Sequence, residues 1–215
     1  RIISDYHKPL IIAEISANHQ NSLKKTFILL NKAAKAKVEA VKFQTFNLPD
    51  MTLNLNKNEF LIKKKFNNKN WNSRSLYSIY KEAQFPFKWH KAVFKKANSL
   101  GLICFSSPFD DTSVDFLEDL NVPAYKIASF EITHIPLIKK VASTGKPMII
   151  STGMASIGEI EEVVQTICDA GCKDYILLKC TTTYPASPEN SNILTIPHMR
   201  KLFNCEVGLS DHTLG

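Results

Sequence analysis

Nowhere does this chain run apolar for the roughly 20 residues that a bilayer-spanning helix needs. Its first residues, Arg1–Pro9, also lack the long apolar segment of a secretory signal. A soluble, cytoplasmic protein is therefore the expectation. The five cysteines, Cys104, Cys168, Cys172, Cys180 and Cys205, are odd in number and include no CxxC pair. Cys104, Cys180 and Cys205 lie in or beside apolar runs, where a thiol behaves as a small hydrophobe, so a reducing compartment without disulfides is expected. Blocks of like charge are also missing, apart from Lys63–Lys65. The net charge of +7 is spread over stretches such as Lys24–Lys37 and Lys91–Lys96, which reads as solvated helix faces rather than a nucleic-acid surface. Such a balance does attract anionic substrates.

Hydrophobic residues make up 44% of the 215 positions, ample for the core of one domain or of part of a larger one. Seven short apolar runs recur: Leu10–Ile15, Ala40–Gln44, Leu102–Ser106, Ala124–Ala128, Pro147–Ser151, Tyr175–Lys179 and Glu206–Ser210. Brief runs bounded by turn residues predict strands buried on both faces, as in a parallel sheet. Helical periodicity fills the gaps. Ile160, Val163, Val164 and Ile167 share a helix face, and Ser156 with Glu159 forms a capping-box signature at its start. Val114, Phe116, Leu117 and Leu120 make a similar stripe behind Asp110 and Asp111, both candidate N-caps. The alternation predicts an α/β fold, a TIM (β/α)8-type barrel truncated after strand seven, because a closed barrel of this kind has eight strands. One connection is long: Thr45–Ala83, holding Trp71, Arg74, Tyr77 and Tyr80, predicts a loop with a short helix near Ser75–Ala83 and a substrate-lid role.

Polar residues gather where each strand ends. Glu14 closes strand one, and Lys42 and Gln44 share one face of strand two. Ser107 follows strand three. Lys126, Ser129 and Glu131 lie along and after strand four. Ser151 ends strand five, Lys179 lies on strand six before Thr181 and Thr182, and Ser210 and His212 close strand seven in phase. Barrel enzymes build their sites at the C-terminal ends of strands. Lysines converging there, Lys42, Lys126 and also Lys179, would need an anion, and with serine and threonine hydroxyls they suit a phosphate and a carboxylate held together. His212 is the best metal-ligand candidate, with Glu14 able to assist, and His19 is a candidate for orienting substrate.

Six segments in order resemble the sialic-acid synthase family, which condenses phosphoenolpyruvate with N-acetylated sugars. They are Ala13–His19, Val41–Gln44, Phe105–Asp110, Tyr125–Ser129, Ile150–Met154 and Gly208–Thr213. Ile15–His19, Lys126–Glu131, Trp71–Tyr80 and Phe85–His90 look most like its pseudaminate-forming branch. The resemblance implies a phosphoenolpyruvate site of Lys42, Ser107, Lys126, Ser129, Ser151, Thr182 and Ser210, with Thr182 standing where some relatives have Asn. It implies sugar contacts from Glu131 and Tyr184, and catalytic duty for Glu14, Lys42, Lys126 and Glu131. It also implies a divalent metal ion, Mn2+ or Mg2+, on His212, with a second histidine on an eighth strand that this chain does not contain. A homodimer is implied too, with a C-terminal antifreeze-like domain, also outside this chain, that lends an Arg to the partner's sugar site. The substrate implied is 2,4-diacetamido-2,4,6-trideoxy-altropyranose. Neuraminate or legionaminate synthesis, a Schiff-base aldolase using Lys126 or Lys179, and a non-catalytic ligand-binding barrel remain open on the residues alone. Neither nucleic acid nor membrane is expected as a partner.

Overall fold

The computed structural model describes residues 2–4, 6–62 and 73–214. They fold as an α/β protein of the TIM (β/α)8 type and supply seven of the eight strands such a barrel has: β1 Ile12–Glu14, β2 Ala40–Thr45, β3 Ile103–Pro108, β4 Tyr125–Ile127, β5 Met148–Ser151, β6 Tyr175–Cys180 and β7 Glu206–Ser210. Among the described residues eight α-helices lie between them: α1 Leu23–Lys35, α2 Leu48–Met51, α3 Leu76–Ala83, α4 Phe87–Ser99, α5 Asp111–Asp119, α6 Ile135–Ser143, α7 Ile157–Asp169 and α8 Thr195–Phe203. The residues group into two compact units, Leu10–Leu120 and Asn121–Gly215 with Arg1–Pro9.

In the first unit β1, β2 and β3 pair in parallel, with Glu14 level with Lys42 and Gln44 level with Ser107. In-register neighbours of parallel strands project to the same side, so Glu14, Lys42, Gln44 and Ser107 share one face, and Phe43, Thr45 and Ser106 the other. Helix α4 packs on that second face through His90, Val93, Phe94 and Ala97, all buried and spaced i, i+3, i+4, i+7. Helix α5 starts where expected. Asp110 is its N-cap, accepting from Ser113 N at 2.7 Å, while Asp111 is its first helical residue. The other Asp110 carboxylate oxygen accepts from Asn47 N at 2.7 Å and fixes the chain leaving β2.

In the second unit β4 to β7 pair consecutively and in parallel. Their register sets Lys126, Ile149, Ser151, Leu178, Cys180, Gly208 and Ser210 on one face, and Ile127, Ile150, Leu177, Lys179 and Leu209 on the other. Helix α7 opens with the expected capping box, Ser156 with Glu159, and buries Ile160, Val163 and Ile167.

The expectation of strands buried on both faces holds for β2, β4 and β5 but not for β1 or β7. Strand β1 is three residues long, not six; Ile11 precedes it and is 50% exposed, and Leu209 in β7 is 42% exposed. Each pairs with one neighbour within its unit, so less apolar surface is available to cover it. Of the long connection, the short helix is α3 at Leu76–Ala83. Arg74, just before it, and Glu82, in its last turn, form an ion pair at 2.5 Å, and Tyr80 meets the ring of Phe46 edge-on. Trp71 and Lys63–Lys65 lie outside the described residues.

Candidate active site

The first unit places a carboxylate, an ammonium and a hydroxyl near the ends of its strands. Lys42 is only 7% exposed; its Nζ lies 2.5 Å from Glu14 Oε2 and donates to Ser107 Oγ at 3.2 Å. A buried ammonium is tolerable because a carboxylate neutralises it and a hydroxyl accepts from it. Glu14 itself is half exposed, so one end of the pair reaches solvent.

Behind this face runs a fully buried chain of hydrogen bonds. His90 Nδ1–H is shared between the Pro86 and Phe87 carbonyls at 3.2 Å each, which leaves Nε2 to accept from Thr45 Oγ1 at 2.8 Å. Thr45 Oγ1 in turn accepts from Ser106 Oγ at 2.7 Å. The chain fastens the ends of β2 and β3 to helix α4, next to Gln44 and Ser107. Burial holds the His90 imidazole down at about 4, so the ring is neutral. No motif announces His90. The available signal was its place at the first position of the α4 apolar stripe.

The reading of His19 as a substrate-orienting group is corrected. Its Nε2–H donates to the Ala83 carbonyl at 3.1 Å and its Nδ1 accepts from Asn21 N at 3.0 Å, so both ring nitrogens are committed to backbone. Phe85 and Trp89 meet the ring edge-on, and burial pushes its pKa down. His19 anchors the end of α3 to the turn after β1.

In the second unit Lys126, 5% exposed, donates from Nζ to Ser151 Oγ at 2.6 Å and to the Ile127 carbonyl at 2.7 Å. Ser129 starts a 3-10 turn that Glu131 closes, half-buried, and Ser129 Oγ accepts from Gly153 N at 3.2 Å. Gly153 has no room for a side chain: a Cβ there would stand 2.5 Å from Thr182 Cγ2 and 2.9 Å from Ser129 Oγ. Lys126, Ser129, Ser151, Gly153 and Thr182 thus form one close-set group.

His212 follows β7. Its Nδ1 lies 2.9 Å from the Thr181 carbonyl oxygen, which can only accept, so Nδ1 carries the proton and Nε2 keeps a lone pair in the neutral ring. That tautomer fits a metal ligand whose orientation is set by a backbone carbonyl. Residues 184–186 pack along the same segment: the Tyr184 ring stands 4.3 Å from the imidazole, and Ala186 N donates to the His212 carbonyl. Asp211 is held below the usual carboxylate range by bonds from Thr213 N and Oγ1. Ser210 is half-buried and level with Cys180. Among the described residues no three His, Cys, Asp or Glu side chains gather into a metal site.

Lys179 does not join this group. It projects from the opposite face of β6 from Cys180, and its Nζ donates to Thr181 Oγ1 at 2.6 Å. The expected convergence with Lys126 fails because side chains alternate along a strand, and Lys126 and Lys179 fall on opposite phases of the register.

The model of the NeuB family matches residues 29–215. The chain belongs to the NeuB family. As a NeuB member it is 40% identical over 208 residues to the pseudaminic acid synthase of Campylobacter jejuni, a match covering 97% of this chain and 60% of that protein. It is 36% identical over 211 residues to the N,N'-diacetyllegionaminic acid synthase of the same organism, covering 97% and 62%. Among solved structures it is similar to the N-acetylneuraminic acid synthetase of Leptospira borgpetersenii in complex with citrate, with a TM-score of 0.81 and 29% identity over 96% of this chain and 66% of that one. The NeuB chain thus spans about 60% of the length of these curated relatives. None of its described helices is long and apolar enough to cross a membrane.

Proposed function

We propose that this NeuB-family chain carries the phosphoenolpyruvate-condensing part of a pseudaminic acid synthase, joining phosphoenolpyruvate to 2,4-diacetamido-2,4,6-trideoxy-altropyranose with release of phosphate. The observation that carries this reading is the buried Lys126–Ser151 pair at the strand ends, in a chain 40% identical to a pseudaminic acid synthase over 97% of its length. Lys42 with Ser107, and Lys126 with Ser129 and Ser151, supply charge-assisted donors for the phosphate and carboxylate of phosphoenolpyruvate. Thr182 and Ser210 add hydroxyls to the same task. In the reaction C3 of phosphoenolpyruvate bonds to the aldehyde carbon of the open-chain sugar, and positive charge develops at C2. Glu14 or Glu131 stabilises that charge, water adds at C2, and the C2–O bond to phosphate breaks to leave the ketone. Tyr184 and Glu131 contact the sugar. A divalent ion held through His212 Nε2 would supply Lewis acidity toward the aldehyde oxygen.

The test is phosphate release from phosphoenolpyruvate with manganese, offering the altro sugar and N-acetylmannosamine in parallel. Turnover of the altro sugar alone supports the reading. Turnover of N-acetylmannosamine alone moves the protein to neuraminate synthesis, and silence with both overturns the catalytic assignment. A covalent adduct trapped by borohydride with pyruvate would instead favour a Schiff-base aldolase.

A further inference from the structure

On the outer side of β6 lies an open cleft of about 610 Å3 lined by Lys179, Pro188, Glu189, Ser191, Asn192, Ile193, Leu194 and Thr195. Its base is an ammonium with little reason to be there. Lys179 is 8% exposed, and the described residues give its Nζ a single partner, the neutral Thr181 hydroxyl at 2.6 Å. Glu189 borders the cleft but makes no ion pair with Lys179. A buried ammonium without a counter-charge is costly, and a chain gains nothing in stability by keeping one where Met would pack. We propose that this cleft is a binding site for a small anion, a carboxylate or a phosphate ester, seated on Lys179 and separate from the group around Lys126.

The rest of the wall suits that ligand. Asn192 and Ser191 offer neutral donors, while Ile193 and Leu194, 58% and 82% exposed, offer apolar surface to a short organic body. Thr181 joins the cleft to the candidate metal ligand. Its hydroxyl accepts from Lys179 and donates to the Asn190 carbonyl at 3.2 Å, while its own carbonyl takes the Nδ1–H of His212. An anion that draws Lys179 away from Thr181 therefore acts on the residue that orients His212.

The experiment is a titration of the 15N-labelled protein with inorganic phosphate and, in a separate arm, with acetate, followed by amide chemical shifts. Saturable shifts at Ile193, Leu194 and Thr195 are expected, separable by residue from any at Ser129 or Gly153. Response to phosphate alone assigns a phosphate ester, to acetate alone a carboxylate, and to both a general anion site. In Lys179→Met the affinity read at these amides should fall at least about tenfold, and in Glu189→Gln it should rise. No saturable shift at these amides with either anion overturns the site. So does an unchanged affinity in folded Lys179→Met. The mapping on the unaltered protein decides the matter even if that variant does not fold, and it reads independently of turnover.

Discussion

His212 points its Nδ1–H at the carbonyl oxygen of Thr181, 2.9 Å away, and so presents Nε2 as the free face of the ring. The amide nitrogen of Asn stands near the position of Nδ1, so His212→Asn preserves that donor while removing Nε2. Its fold should lose no more than about 1 kcal/mol, the worth of an ordinary hydrogen bond. Manganese affinity, measured by isothermal titration, should fall by at least about tenfold. Unchanged manganese binding in the Asn variant would remove His212 from the ligand set.

Lys126 and Ser151 test the anion-holding role. Ser151→Ala removes an acceptor from a buried ammonium and should cost about 1.5–3 kcal/mol in chemical denaturation. Lys126→Met keeps the aliphatic volume and removes the charge, so phosphate release should drop by about 100-fold or more while the far-ultraviolet circular dichroism stays as in the parent. A Met variant with parental turnover would show that Lys126 is only a packed strand residue.

His90 gives the first unit a pH dependence of definite sign. Its folded value of about 4 lies below the ordinary 6.5, so the unfolded chain binds the extra proton more readily. Stability is fully present above about pH 6.5 and declines as pH falls toward 4, by about 3 kcal/mol over that window, before levelling off. His90→Gln should flatten this part of the profile, read as the difference between parent and variant in urea midpoints from pH 7 to pH 4. Parallel profiles would mean that the ring is not desolvated as the structure has it.

The reach of sequence reasoning follows from what each signal encodes. Apolar runs and capping residues are local, so the seven strands, the Ser156–Glu159 box and the Asp110 cap were legible. Register is not local. Lys126 and Lys179 each lie within a short apolar run and look alike in the sequence, yet pairing with β5 sends them to opposite faces. The same limit hid the Ser106–Thr45–His90 chain, whose members are 61 and 45 residues apart pairwise. Both nitrogens of His19 are spent on backbone, which no motif discloses.

Gly153 is the sharpest test of the packing around Lys126. Its backbone is not in a left-handed conformation, so Ala is excluded by space alone: the new Cβ would lie 2.5 Å from Thr182 Cγ2, 2.9 Å from Ser129 Oγ and 3.3 Å from Cys180 Cβ. Overpacking of this kind costs about 1–3 kcal/mol. The first contact is with a methyl group, which Thr182→Ser deletes. Gly153→Ala combined with Thr182→Ser should therefore recover much of the stability lost by Gly153→Ala alone, giving a coupling of about 0.5 kcal/mol or more in a double-mutant cycle. The remaining approach to Ser129 Oγ would still disturb the bond from the residue 153 amide, so turnover should recover less than stability does. Additive losses in the cycle would mean that Thr182 does not stand over Gly153, and the close-set group would have to be redrawn.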